Sequence, residues 1–139
     1  MKRPSAFYKL VYHFTWATRD RLPLITPSVE ARLLPCIGYK CKELGYRRHA
    51  VNSIPDHLHI LISLTPSILV ADVAKNIKGA SSHYINKESE LDETLYWQDG
   101  YGVAMLRQSE IPKVVEYIQH QKEHHRVGKL SRIFEQTHE

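Results

Sequence analysis

The chain predicts an α+β fold, a ferredoxin-like β-α-β-β-α-β sandwich with an additional C-terminal helix that carries Tyr117. Three observations predict it. "YRRHAVNSI" and "HLHILISL" flank Pro55 and Asp56, so residues 46–64 read as two strands joined by a tight turn. Two segments with helix signatures stand on either side of that hairpin. Near the end, Ile111, Val114, Val115 and Ile118 fall at i, i+3, i+4 and i+7, the stripe of one more buried helix face. In such a sandwich the first and third strands lie side by side at the centre of the sheet.

Residues 7–18, "FYKLVYHFTWAT", are dense in aromatic and β-branched side chains and end in the charged turn "RDRLPLIT", which reads as a first strand and its loop. Thr26 followed by Pro27 starts a helix, Leu33, Leu34 and Ile37 give its apolar side, and Gly45 stops it. Pro35 inside that helix predicts a kink. A second helix is expected over residues 68–87, with Val70, Val73, Ala74, Ile77 and Tyr84 as its stripe, and a fourth strand over 100–107. Ser109 is the expected cap of the last helix. The tail over 128–139 reads as a short helix packed on a dimer partner.

At 139 residues, 42% hydrophobic and 24% charged, residues 1–139 are expected to form a single domain with a real core. The net charge of +4 and a pI of about 9.1 suit a polyanionic partner, although a solvated basic surface explains them equally well. Cys36 and Cys41, five residues apart in a predicted helix, point to different sides and read as reduced thiols. No stretch approaches the roughly 20 apolar residues of a membrane span, and the N-terminus is not a signal peptide. A cytoplasmic setting is therefore expected.

The strand "HLHILISL" carries the chemistry. Alternation puts His57, His59, Leu61 and Ser63 on one face and Leu58, Ile60, Ile62 and Leu64 on the other. Two imidazoles one pleat apart can chelate a divalent ion, but two ligands alone make a poor site, and a polar sheet face is the plainer reading of this stretch by itself. In "EYIQHQ", Tyr117 and Gln121 are four residues apart, about 40° apart around a helix at roughly 100° per residue. Measured against the stripe, Gln121 lies at its edge and Tyr117 further round. His57, His59 and the Gln121 carbonyl together would be three neutral ligands, leaving positions for phosphate oxygens. Tyrosine, with an ordinary pKa near 10, needs a polarised electrophile to attack, and a metal on the scissile phosphate supplies one.

These residues resemble the HUH-type single-tyrosine transposases of bacterial insertion sequences and the closely similar transposases associated with repetitive extragenic palindromes. "PDHLH", "YWQDGYGV", "VVEYIQHQKEHH" and the first strand "YHFTWAT" carry the resemblance, in that family's order, over nearly the whole chain. It implies that Tyr117 is the nucleophile that forms a 5′-phosphotyrosine link to single-stranded DNA, and that His57, His59 and Gln121 hold Mg²⁺ or Mn²⁺. It also implies recognition of DNA hairpins near element ends and a homodimer. His120, His124 and His125 compete with Gln121 as ligands; by helix geometry His124 is the best rival, and Gln121 is favoured over it.

Arg47, Arg48, Lys75 and Lys78 are candidate phosphate contacts, and Asn76 and Ser81 candidate hairpin contacts. Tyr101, Trp97 and Trp16 are candidate stacking platforms for unpaired bases, with a core role as the competing reading. Asp56 either orients His57 or makes the turn. A binding module that kept hairpin recognition and lost cleavage is the rival function, and the complete set of His57, His59, Tyr117 and Gln121 argues against it.

Overall fold

A computed structural model describes residues 9–88 and 92–122. Four strands, β1 (Leu10–Ala17), β2 (Arg47–Ile54), β3 (His57–Leu64) and β4 (Gly102–Met105), alternate with three helices, α1 (Pro27–Leu44), α2 (Val70–His83) and α3 (Ile111–Gln119). The sheet order is β2-β3-β1-β4 and every neighbouring pair is antiparallel. β1 and β3 therefore occupy the centre, as the ferredoxin-like order requires.

Local chemistry explains the α1 boundaries. The Thr26 hydroxyl accepts from the Val29 amide at 3.2 Å, a cap of the kind that contributes ~1 kcal/mol. At the other end Gly45 adopts φ 76°, and the amides of Gly45 and Tyr46 return to the carbonyls of Lys42 and Cys41. That left-handed position is one a side chain resists. Val29, Leu33, Ile37 and Cys41 form a row four residues apart that is buried against the sheet and α2. Burying each aliphatic side chain of such a row contributes roughly 1.5–3 kcal/mol. The expected kink does not interrupt α1, which continues through Pro35; Pro35 and Ala31, whose carbonyl loses its partner there, are both exposed.

The two faces of β3 have different work. Leu58, Ile60 and Ile62 face α1 and α2 in the main core with Phe14, Trp16, Leu33 and Ile77. Leu61 faces the other way, into a smaller cluster with Val11, Ala50, Val114, Tyr117 and Ile118 that seats α3. The sheet is thus covered on one side by two helices and on the other by the helix that carries Tyr117.

Several boundaries differ from expectation. Thr18 lies beyond β1 and makes an isolated bridge to Trp97. α2 begins at Val70 and passes after His83 into a π-helical turn, Tyr84–Glu88. β4 is shorter than residues 100–107: Gly100 turns with φ 88° ahead of it, and the strand ends at Met105. Ser109 does not cap α3: it lies inside a 3-10 turn, Gln108–Glu110, where the Glu110 carboxylate accepts the Arg107 amide at 2.8 Å instead.

The buried stripe of α3 is also rotated. Val114, Tyr117, Ile118 and Gln121 are the buried positions, whereas Ile111 and Val115 are only partly covered. An apolar count leaves out a tyrosine and an amide; the polar patch on the sheet beneath, His13, His57 and His59, admits both. The expected tail over 128–139, and His124 and His125, lie outside the described residues.

Candidate active site

β3 places the histidine pair. His57 pairs with Ala17 on β1 and Ile54 on β2, and His59 with Thr15 and Asn52. Both side chains leave the sheet on the α3 side and both are buried. Their ring centroids are 5.3 Å apart.

Each ring is oriented through Nδ1. Asp56 sits at the turn and also reaches the ring, its Oδ1 2.7 Å from Nδ1 of His57. A carboxylate accepts, so Nδ1 carries a proton, and in the neutral ring Nε2 then carries the lone pair. Nδ1 of His59 lies 2.7 Å from Nε2 of His13, and those two rings meet edge to edge and nearly coplanar, centroids 4.9 Å apart with an interplanar angle of 19°. His13 is the site residue that sequence reasoning missed. It stands alone in an aromatic strand, and only the register of β1 on β3 brings it to the pair.

α3 closes the site from above. The Tyr117 ring meets the His59 ring edge to face, centroids 5.8 Å apart. Gln121 lies just past the end of α3, beyond His120 at φ −107° and ψ 22°, and is wholly buried. The described residues offer neither of its amide atoms a hydrogen-bond partner, and the same holds for the buried Thr15 hydroxyl opposite His59. A buried, unpartnered amide is costly, on the order of 1–3 kcal/mol, unless a ligand completes it.

The C-terminal end of α3 is tied to β2. Asn52 donates to the carbonyls of Ile118 and Gln119, and Lys122 donates to Asn52 Oδ1, to the Ser53 carbonyl and to Glu30. Ser53 donates to the same Glu30 carboxylate at 2.6 Å.

The residue types fit a divalent ion, imidazole nitrogen suiting borderline transition ions and amide oxygen harder ones. Two neutral imidazole nitrogens and one amide oxygen add no charge, so the ion's attraction for phosphate is left intact. Among the described residues no three His, Cys, Asp or Glu side chains converge to hold a metal. His120 is exposed and its Nδ1 lies 3.0 Å from the Glu116 carbonyl, turned back on its own helix.

The other candidates lie elsewhere. Lys75 and Lys78 are on α2, behind the sheet; Lys75 is exposed, while Lys78 donates to the carbonyls of Gln98 and Gly100 at 2.7 and 2.8 Å, and burial holds its pKa below the ordinary lysine value. Arg48 lies against α1 beside Gly38, and Arg47 is exposed at the start of β2. Tyr101 packs on Phe14 in the main core, and Trp16 and Trp97 are buried there edge to face. Ser81 accepts the Trp97 indole N–H at 2.9 Å, and Asn76 donates to the Tyr46 hydroxyl. At the histidine end of β1, the Thr18 amide donates to the Asp56 carbonyl, and the exposed Arg19 lies 4.7 Å above the Tyr96 ring.

A four-stranded antiparallel sheet with two helices on one face and a third on the other is a fold shared with solved transposases. A Deinococcus radiodurans R1 crystal structure described as a transposase matches with a TM-score of 0.65 at 25% identity, covering 87% of this chain and 97% of that one. A tyrosine transposase bound to a REP hairpin matches at 0.64 and 19% identity, covering 94% and 76%, which shows the fold. The ISDra2 transposase TnpA of Deinococcus radiodurans is 28% identical over 131 residues, 88% of this chain and 94% of its own length. The family model described as "Transposase IS200 like" matches residues 6–121. The chain belongs to that family of transposases, proteins of DNA transposition. Among the described residues no helix is long and apolar enough to cross a membrane.

Proposed function

We propose that this protein cleaves and rejoins single-stranded DNA by transesterification through Tyr117. The phenolic oxygen attacks phosphorus, the 3′-oxygen of the preceding nucleotide leaves with a proton, and a 5′-phosphotyrosine remains. Attack by a second strand's 3′-hydroxyl reverses the step, restoring the phosphodiester and the tyrosine, so the bond energy is conserved and no nucleotide cofactor is consumed. The observation that carries this reading is Tyr117 against His59, on the sheet face that also buries His57. Mg²⁺ or Mn²⁺, held by His57, His59 and Gln121, would supply Lewis-acid polarisation of the scissile phosphate. Asp56 orients His57 for that task, and the ties from Asn52 and Lys122 seat the end of the helix that brings Tyr117 and Gln121.

The substrate is proposed to be single-stranded DNA with a hairpin near the element end, as the hairpin-bound neighbour suggests. Arg19 and Tyr96, exposed at the histidine end of the sheet, are suited to a backbone phosphate and an unpaired base. The homodimer belongs to the same reading: β4 is an edge strand with Val103 and Met105 exposed, a surface a second copy can cover.

The test is a labelled single-stranded oligonucleotide carrying the hairpin, incubated with protein and Mn²⁺ and run on a denaturing gel. Wild type is expected to give a covalent protein–DNA adduct, and Tyr117→Phe none while still binding the hairpin. Full strand joining by Tyr117→Phe would end the proposal, and hairpin binding without any adduct from wild type would favour the binding module.

A further inference from the structure

We infer that His13 is a positioning residue: by accepting the Nδ1 proton of His59, it fixes the tautomer that leaves Nε2 of His59 as a ligand nitrogen. The inference rests on the proposed metal-holding role of His57 and His59.

The two rings are diagonal neighbours across the central strand pair, His13 opposite Leu61 and His59 opposite Thr15. Both are buried, His13 3% and His59 0% exposed, and their nitrogens are 2.7 Å apart. Two neutral imidazoles joined nitrogen to nitrogen have one donor and one acceptor. Were His13 the donor, the His59 proton would sit on Nε2 and that nitrogen would hold no ion. With His59 as donor, Nδ1–H points at His13 and Nε2 bears the lone pair. His57 faces no such choice, because Asp56 only accepts.

The pair is thus oriented asymmetrically, by a carboxylate at the partly exposed rim and by a neutral ring in the interior. The difference suits the burial. A second carboxylate beside the wholly enclosed His59 would carry a large desolvation penalty, whereas an imidazole orients it without adding charge. A purely apolar role does not explain the choice: a leucine would fill the space, and a buried imidazole costs free energy unless its polar atoms are used.

Protein labelled with ¹⁵N-histidine, kept metal-free, reports the tautomer by long-range ¹H–¹⁵N correlation. Wild type is expected to show the His59 proton on Nδ1. His13→Phe keeps a planar ring in the space and removes the acceptor; the His59 proton should move to Nε2, and the Kd for Mn²⁺ alone, read by electron paramagnetic resonance, should rise 10- to 100-fold. His13→Gln, whose Oε1 reaches the place of the lost nitrogen, should restore the tautomer and bring the Kd back to within about threefold.

A merely structural role for His13 would lower Tm in both variants without moving the tautomer. A wild-type His59 proton on Nε2, or a His13→Phe Kd equal to wild type, overturns the inference. If His13→Phe does not fold, the wild-type spectrum and the His13→Gln titration decide it. Equal Mn²⁺ binding by wild type, His57→Ala and His59→Ala overturns the metal reading and the positioning role with it; the metal-free spectrum still reports the His13–His59 pairing, so the two failures are told apart.

Discussion

Asn52 on β2 donates its side-chain amide to the carbonyl of Ile118 at 3.0 Å, and to that of Gln119 at 3.2 Å. Asn52 is also the cross-strand partner of His59. One side chain therefore ties the end of the tyrosine helix to the rung of the sheet that carries a proposed ligand. Asn52→Leu should cost about 1–3 kcal/mol of stability, because two helix carbonyls and the Lys122 ammonium lose a partner. Adduct formation should fall further than the folded fraction does, since Gln121 loses its seat. Urea unfolding and a gel assay on one preparation separate the two; a less stable variant that cleaves at the wild-type rate would show that this tie positions nothing.

The hairpin and the histidine pair were legible because alternation with period two is written in consecutive residues: "HLHILISL" states which side chains share a face, and β3 is His57–Leu64 as expected. The helix boundaries at Thr26 and Gly45 were legible for the same local reason, a hydroxyl that caps and a residue that tolerates positive φ. His13 was not, since its meaning depends on which residue of β3 lies diagonal to it, and a helix and a strand, α1 and β2, separate the two strands in sequence. The stripe of α3 was misplaced because apolar periodicity cannot see Tyr117 and Gln121 as inward positions until the sheet beneath is known to be polar.

Charge alone was the weakest guide, and Lys78 shows why. A lysine on an amphipathic helix looks like a phosphate contact in sequence, yet its ammonium braces the loop before β4 through two carbonyls. Lys78→Met should lower stability by about 1–2 kcal/mol while leaving the salt dependence of strand binding unchanged. Arg19→Ala should do the reverse, keeping Tm and reducing the slope of log Kd against log salt by about one. Fluorescence anisotropy with a hairpin oligonucleotide at several salt concentrations checks both, and a shallower slope for Lys78→Met would return that residue to the DNA surface.

The two thiols should react unequally. Burial pushes the Cys41 thiol up to about 11, against a smaller opposing pull from Arg48, and leaves it 1% exposed. Cys36 is raised too, chiefly by burial, but is partly open to solvent. At pH 8, iodoacetamide should label Cys36 at least about tenfold faster than Cys41, which should react only after denaturant is added. Peptide mass spectrometry over a time course reads both sites, and equal labelling in the native protein would contradict the packing of α1 on the sheet.

His49 links pH to stability at the opposite end of the sheet. It occupies the bulge of β2 between Arg48 and Ala50, where its Nε2 lies 2.6 Å from the Ser63 hydroxyl. Burial, and then the nearby Arg47 guanidinium, hold its pKa below the ordinary histidine value. Below about pH 6.5 the unfolded chain therefore takes up a proton that the folded one refuses. The contribution of this residue is fully present above that pH and is lost as the pH falls through the lower folded value. His49→Gln, which keeps a polar partner for Ser63 and cannot titrate, should lose less stability than wild type between pH 7.5 and pH 5. Urea midpoints for both proteins at the two pH values measure the difference, and identical pH slopes would mean that His49 takes up its proton equally readily folded and unfolded.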